Sequence, residues 1–188
     1  MSKKNIKQSN LKTSKKPEKI QLTSNTALSI CPPQYLWPQI QTIRKKYDKA
    51  AKRWPPHINL LFPFVYPNNF DEIKQKLEKE LKIEPFTLQM NEPSNEVACR
   101  EKSVWSLPKN KEELHELHHQ ITKILSIESQ FNPHMTFGQV NVNEIDEQLK
   151  DIQNLWLELE FEVDEIFFLK KEGENFFVQS SLKLKPFL

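Results

Sequence analysis

Residues 54–60 read WPPHINL, and residues 131–137 read FNPHMTF. The two stretches share one plan: an aromatic residue, any residue, proline, histidine, an apolar residue, a polar residue and a second apolar residue. Proline is tolerated at the first position of a strand, and alternating apolar and polar residues are typical of a half-buried strand. The repeated plan therefore predicts two related strands, each of which begins at a histidine.

The side chains of these two strands predict a shared polar cleft. Residues two apart in a strand point to the same face, so His57 shares a face with Asn59, and His134 shares one with Thr136. If the two strands lie side by side in one sheet, two imidazoles, an amide and a hydroxyl converge on a single cleft.

This combination of groups suits the chemistry of a phosphodiester. A neutral histidine can take a proton from an attacking hydroxyl or water, and a protonated histidine can give one to the leaving oxygen. Asn59 and Thr136 can donate hydrogen bonds to phosphoryl oxygens, and each such donor contributes about 2–4 kcal/mol where charge develops. The sequence therefore predicts His57 and His134 as catalytic residues and Asn59 and Thr136 as substrate-binding residues, with no metal ion or cofactor.

The rest of the chain predicts helices and strands that are interleaved around the two motifs. Apolar residues at helical spacing predict helices over residues 38–52, 70–81, 114–125 and 145–152. Runs rich in β-branched and aromatic residues predict strands over 26–30, 57–65, 85–90, 103–107 and 134–140, and a C-terminal hairpin with strands 157–163 and 176–184. This order indicates an α+β or α/β layout.

The paired motifs resemble those of the 2H phosphoesterase superfamily, which includes RNA cyclic phosphodiesterases, 2′-5′ RNA ligase-like proteins and U6 RNA exonucleases. The resemblance covers about residues 26–184, and residues 53–64 (RWPPHINLLFPF) are most similar to the branch with the central domain of A-kinase anchoring protein 7. It implies an α+β, bilobal fold in which two pseudo-symmetric α/β lobes with antiparallel sheets surround a central cleft. It also implies an RNA-processing hydrolase that acts on 2′,3′-cyclic phosphates or on 2′-5′ or 3′-terminal phosphodiesters.

Position 59 departs from the family's pattern, which places Thr or Ser two residues after each histidine. Asn59 keeps a hydrogen-bond donor but changes its reach and its geometry. An alternative hypothesis is therefore a binding module that holds a nucleotide or an RNA end in the same cleft and turns nothing over.

A second histidine cluster suggests a different chemistry. Residues 115–119 read HELHH and match the zinc-protease motif H-E-x-x-H, in which two histidines one helical turn apart bind the metal. The apolar stripe of the same helix, which includes Leu114 and Ile121, places His115 and His119 beside the stripe and away from a cleft. Histidines in a charged helix usually form a solvated face, so a zinc peptidase is the least favoured alternative.

The charge distribution divides the chain into a basic arm and a domain. Residues 1–19 hold seven Lys and one Glu, although the net charge of the whole chain is only +2. We expect residues 1–22 to form a disordered arm and residues 23–188 to form a single domain. The arm could contact RNA phosphates or act as a nuclear address, but such runs are more often only solvated.

The partners and the location follow from the same features. No apolar run approaches the roughly 18–20 residues of a membrane span, and the Lys-rich start lacks the apolar segment of a secretory signal. We therefore expect a monomer that binds RNA or a nucleotide in the cytoplasm or the nucleus, with no membrane partner.

Three further features limit the alternatives. Only two glycines are present, so neither a glycine-rich phosphate loop nor a dinucleotide fingerprint can be built. Cys31 and Cys99 have no histidine beside them and belong to no Cys-x-x-Cys pattern, which favours inert thiols. Trp54 and Trp105 could stack on a nucleobase, and core packing is favoured for Trp105.

Overall fold

A computed structural model of the chain describes residues 20–94, 103–140 and 142–186. The basic arm lies almost wholly outside the described residues, and so does Cys99. The described residues form helices α1 (Trp37–Tyr47), α2 (Phe70–Glu80), α3 (Glu112–Leu125) and α4 (Ile145–Leu155). They form strands β1 (Leu22–Thr23), β2 (Thr26–Ile30), β3 (Ile58–Leu61), β4 (Phe64–Val65), β5 (Phe86–Met90), β6 (Ser103–Ser106), β7 (Met135–Gln139), β8 (Leu159–Val163), β9 (Glu165–Glu172) and β10 (Asn175–Lys183). The predicted α+β class is confirmed.

The strand that follows His57, β3, is an edge strand of a four-stranded antiparallel sheet with the order β10-β9-β2-β3. All five residues of β2 are buried, as expected of an inner strand with both faces covered. In the pairing of β2 with β3, Ser29 lies opposite Asn59. The buried strand therefore brings a hydroxyl next to a predicted substrate-binding residue.

The strand that follows His134, β7, pairs with β6, while β5 pairs with β8. A bridge between Met90 and Pro108 and backbone hydrogen bonds between Ser94 and Trp105 join the two pairs. The result is a second antiparallel arrangement, with the order β8-β5-β6-β7. Like the first sheet, it ends at a strand that follows a motif histidine.

The two histidine strands do not lie side by side in one sheet. Each strand takes its hydrogen-bonding partner from its own half of the chain, because β3 pairs with β2 and β7 pairs with β6. The repeated motif reflects the equivalent position of the two strands in two separate sheets.

Helix α1 is shorter than the predicted helix over residues 38–52. The Asp48 carboxylate accepts a hydrogen bond from the Ala50 N–H at 2.8 Å and another from the Arg44 guanidinium at 2.8 Å. A side chain that bonds the backbone two residues further on stabilises a turn in competition with the helix. The chain therefore leaves the helix at Asp48 and runs as a loop to His57.

The predicted C-terminal hairpin is partly wrong. Residues 159–163 alternate between buried and exposed as predicted, but this strand pairs with β5. The hairpin consists of β9 and β10, which turn at Gly173 with a φ of 60°, a conformation that glycine adopts without a steric penalty. Residues 165–172 form a separate strand that the pattern of residues 157–163 did not reveal.

A contact between α1 and β7 connects the two halves of the molecule. A Cβ atom on Gly138 would lie 2.5 Å from the Cβ of Tyr47, so only glycine allows this approach. Next to it, the Gln139 side-chain amide donates to Asp48 at 3.3 Å and accepts from the Lys49 N–H at 2.9 Å. The strand that follows His134 is thus fastened to the loop that leads to His57.

One buried apolar cluster includes residues from all four helices and from both sheets. Such a shared core fixes the relative positions of the elements that surround it. Among the described residues, no helix has both the length and the apolar character needed to cross a membrane.

Candidate active site

The two motif histidines have the same backbone contact. Nδ1 of His57 lies 2.8 Å from the carbonyl oxygen of Pro55, and Nδ1 of His134 lies 2.8 Å from that of Asn132. A carbonyl oxygen can only accept, so Nδ1 carries the hydrogen in both neutral rings. This tautomer leaves Nε2 unprotonated and available to exchange a proton.

Each of these histidines also stacks on a tryptophan. The ring centroids of Trp54 and His57 are 4.6 Å apart, with 21° between the planes, and those of Trp105 and His134 are 4.0 Å apart, with 24°. A stacked indole fixes the plane of the imidazole and attracts its protonated form. Trp105 is half-buried against His134, so the favoured prediction of a core position for it is wrong.

The aromatic residues of the two motifs are not equivalent. Trp54 stacks on its own motif histidine, whereas Phe131 stacks on His118 of α3, with centroids 4.4 Å apart and 3° between the planes. Trp105 takes the place beside His134 because, in the pairing of β6 with β7, it lies opposite Thr136. That placement depends on strand register, which the sequence does not show.

A cleft of about 600 Å³ separates the two motif strands. Asn59, Leu60 and Phe62 line one side of it, and residues 129–132 with His134 line the other. His57 and Thr136 are half-buried, two residues away from Asn59 and His134 respectively, and are not part of the lining. The structure thus brings one predicted residue of each motif, Asn59 and His134, into the lining of the cleft, whereas His57 and Thr136 are not part of that lining.

The pKa values of both histidines are lower than usual. The pKa of His57 is lowered to about 4, mainly by burial; the carbonyl of Pro55 and the charge of Asp48 oppose the shift, and the charges of Arg44 and His134 add to it. Burial also lowers the pKa of His134, against the opposing effect of the Asn132 carbonyl. Both imidazoles are therefore neutral at pH 7 in the free protein. A bound phosphate would raise both pKa values, because a nearby negative charge favours the protonated ring.

A buried ion pair supports the loop that precedes His57. Arg44 and Asp48 form a salt bridge at 2.8 Å, with 2% and 1% of their side chains exposed. The same guanidinium donates to the carbonyl oxygen of Trp54 at 3.1 Å. Sequence reasoning missed this pair, for which the only signal was a spacing of four residues in a helix.

Only part of the HELHH segment of α3 forms a solvated histidine face. His115 and His119 are exposed, but His118 is buried, and its Nε2 has no hydrogen-bond partner among the described residues. Burial lowers the pKa of His118, with smaller contributions from the charges of His115 and His119. Within the described residues, no group of three or more His, Cys, Asp and Glu side chains stands close enough to hold a metal ion.

The thiol of Cys31 is buried, which agrees with the prediction of an inert thiol. Burial, together with the charge of Glu165, raises the pKa of this thiol to about 12. A thiol with so high a pKa is protonated at neutral pH and is a poor nucleophile.

Solved structures with the same fold include E. coli LigT, TT0787 of Thermus thermophilus and a protein described as a phosphoesterase. E. coli LigT in complex with 3′-AMP has a TM-score of 0.59 and 15% identity, over 88% of this chain and 100% of LigT. LigT in complex with phosphate has a TM-score of 0.58 at the same identity and coverage, and TT0787 of Thermus thermophilus has 0.54 at 14% identity, over 85% of this chain and 97% of TT0787. At such low identity these similarities show the fold alone.

The sequence comparisons identify the family. No curated protein sequence matches the chain. The family model of the 2′-5′ RNA ligase superfamily matches residues 32–175, which include both motifs. The resemblance to 2H phosphoesterases is therefore confirmed, while the branch of A-kinase anchoring protein 7 stays a prediction. By its sequence match and by its fold, the chain belongs to the 2′-5′ RNA ligase superfamily.

Proposed function

We propose that this protein is a metal-independent phosphodiesterase that acts on RNA ends or nucleotides, with His57 and His134 as its acid-base pair. Membership of the superfamily supports an enzyme that acts on phosphodiesters. The observation that carries the proposal is the matched state of the two histidines beside one cleft. Each has its Nδ1 hydrogen bonded to a carbonyl and its ring stacked on a tryptophan, which leaves Nε2 for the substrate.

In this proposal His57 begins as the base and His134 acts as the acid. The pKa of His57 is lowered to about 4, so its Nε2 is free to remove the proton from an attacking water or 2′-hydroxyl. His134, once protonated beside the bound phosphate, gives its Nε2 proton to the oxygen that leaves phosphorus. Donors from Asn59 and Thr136 stabilise the charge on the non-bridging oxygens during this exchange.

An exposed ring at the cleft edge supports a nucleotide as the substrate. Phe62 is 45% exposed and lines the cleft three residues after Asn59. Stacking of a base on an aromatic side chain contributes about 1–3 kcal/mol. The related LigT was solved with 3′-AMP, which also favours a nucleotide ligand.

A panel of substrates tests this function. We would measure hydrolysis of 2′,3′-cyclic AMP, a 2′-5′-linked diadenylate and an RNA with a 3′-oligouridylate end, with and without EDTA. The proposal predicts turnover of at least one substrate at a rate that EDTA does not change, and loss of turnover in EDTA would contradict it. If no substrate is turned over but a nucleotide raises the melting temperature, the protein is the alternative binding module.

A further inference from the structure

Asn59, the proposed phosphate ligand, is hydrogen-bonded to the side chain of a buried serine. The Ser29 hydroxyl donates a hydrogen bond to Oδ1 of Asn59 at 2.8 Å. Ser29 is 0% exposed in the inner strand β2, directly opposite Asn59. A buried hydroxyl needs a hydrogen-bond partner, so this contact is costly to lose.

In the structure the contact uses the oxygen end of the amide and leaves the NH₂ end for the cleft. The oxygen and the NH₂ group of an asparagine side chain have nearly the same shape but opposite hydrogen-bonding roles. With Oδ1 held by Ser29, the NH₂ group of Asn59 has no partner among the described residues, and Asn59 lines the cleft. An NH₂ group can only donate, which suits an anionic phosphoryl oxygen, whereas a carbonyl oxygen in its place would repel that oxygen.

We infer that Ser29 is a positioning residue, which holds the Asn59 amide so that its NH₂ group meets the phosphate. Together, Ser29 and Asn59 then replace the hydroxyl donor that the family's pattern places two residues after the first histidine. This inference rests on the proposed function, because it requires that the cleft bind a phosphate.

A double-mutant cycle tests the inference. We expect Asn59→Ala to lower kcat/KM by about 100-fold, the usual effect of losing a donor to the transition state. Ser29→Ala should lower it by about 3- to 10-fold, since the amide loses the bond that orients it. In the Asn59→Ala background, Ser29→Ala should change nothing more. If the two effects multiply, Ser29 acts independently of Asn59 and the inference is overturned.

Two further variants separate positioning from stability. Ser106 is another fully buried strand serine, and its hydroxyl donates to the Asn91 carbonyl at 2.6 Å. Ser106→Ala should lower the melting temperature as Ser29→Ala does, but leave kcat/KM unchanged. Ser29→Thr keeps the hydroxyl and should restore most of the activity that Ser29→Ala loses. An equal loss of activity in Ser106→Ala and Ser29→Ala would contradict a specific role.

Binding of inorganic phosphate, measured by calorimetry on the same four proteins of the cycle, distinguishes this inference from the proposed function. If the wild type turns nothing over but phosphate binding shows the same dependence of Ser29 on Asn59, the positioning role stands and the catalytic proposal fails. If the wild type is active and Ser29→Ala neither weakens phosphate binding nor lowers kcat/KM, the positioning role fails and the catalytic proposal stands. A wild type without turnover and without phosphate binding overturns both.

Discussion

At the scale of the residue, the surroundings of the two histidines set their protonation. Each ring is held between a backbone carbonyl at Nδ1 and a tryptophan face, and each is partly withdrawn from water. Withdrawal from water favours the neutral ring, whereas the carbonyl and the indole favour the charged one. The pKa values show that withdrawal dominates in the free protein.

This balance predicts an acidic optimum for kcat/KM, which reports the pKa values of the free enzyme. The pKa of His57 is about 4 and that of His134 lies below its usual 6.5, so one ring is protonated and the other neutral only in acid. We expect a bell-shaped profile with its maximum below pH 6.5 and a decline as rising pH removes the acid. A kcat/KM maximum above pH 7.5 would show that the free histidines are not shifted in this direction.

The indole beside His134 should matter for rate more than for binding. Trp105→Leu removes the face that favours the protonated ring, and we expect kcat to fall by about 3- to 30-fold with little change in KM. Trp37→Leu is a matched control, because Trp37 is also half-buried and donates its indole N–H to the Pro32 carbonyl at 2.8 Å. Equal losses of kcat in the two variants would assign the effect to stability instead.

The sequence predicted only the site residues that lie within the two motifs. His57, Asn59, His134 and Thr136 can be found because a strand places residues two apart on one face. Their partners cannot be found in this way, because Ser29 reaches Asn59, and Trp105 reaches His134, only through pairings between distant strands. The catalytic and binding roles of the four predicted residues remain predictions.

At the scale of the element, α1 contacts β7 and so links the loop that precedes His57 to the strand that follows His134. Helices α2 and α3 begin and end within about two residues of their predicted bounds, because a continuous apolar stripe marks them. Strand partners were harder to predict, since an alternating pattern shows which face is buried but not which strand lies alongside. The pattern of the two motifs therefore left open whether their strands share a sheet, and each strand belongs to its own.

Gly138→Ala tests the importance of this contact. The added methyl group would lie 2.5 Å from the Cβ of Tyr47, so α1 must move away from β7. We expect a loss of about 1–3 kcal/mol in the free energy of unfolding, as for other overpacked sites, and a fall in kcat/KM well below the melting temperature. Gly173→Ala is the control: its backbone φ of 60° causes strain, but nothing lies within 4 Å of an added Cβ. Full activity in Gly138→Ala would show that the contact does not set the site.

At the scale of the whole molecule, the shared apolar cluster and the cleft between the motif strands lie within the described residues, and the basic arm precedes them. All contacts described for the two histidines, for Asn59 and for Ser29 involve residues after position 25. With seven Lys and one Glu, residues 1–19 carry a net charge of +6, whereas the whole chain carries +2. We propose from this uneven charge that the arm and the domain have separable effects.

Deletion of residues 1–19 should leave the melting temperature and the turnover of a mononucleotide unchanged. Binding of a long RNA, measured across a series of salt concentrations, reports on the arm itself. If the arm is only solvated, the RNA affinity of the full chain and that of the deletion variant depend on salt to the same extent. If the arm contacts phosphates, the affinity of the full chain depends more steeply on salt than that of the deletion variant. A marked fall in melting temperature on deletion would contradict the predicted boundary at residue 22.

The most direct test of the two-histidine account is single-turnover hydrolysis of the best substrate by His57→Ala, His134→Ala and, as a control, His119→Ala. His119 is exposed on α3, outside the cleft lining, and its loss should leave the rate unchanged. The account predicts that each of the first two variants lowers the rate of the chemical step by about 10²–10⁴-fold while its melting temperature stays near that of the wild type. A chemical step within a few-fold of the wild-type rate in either variant would contradict acid-base catalysis by this pair.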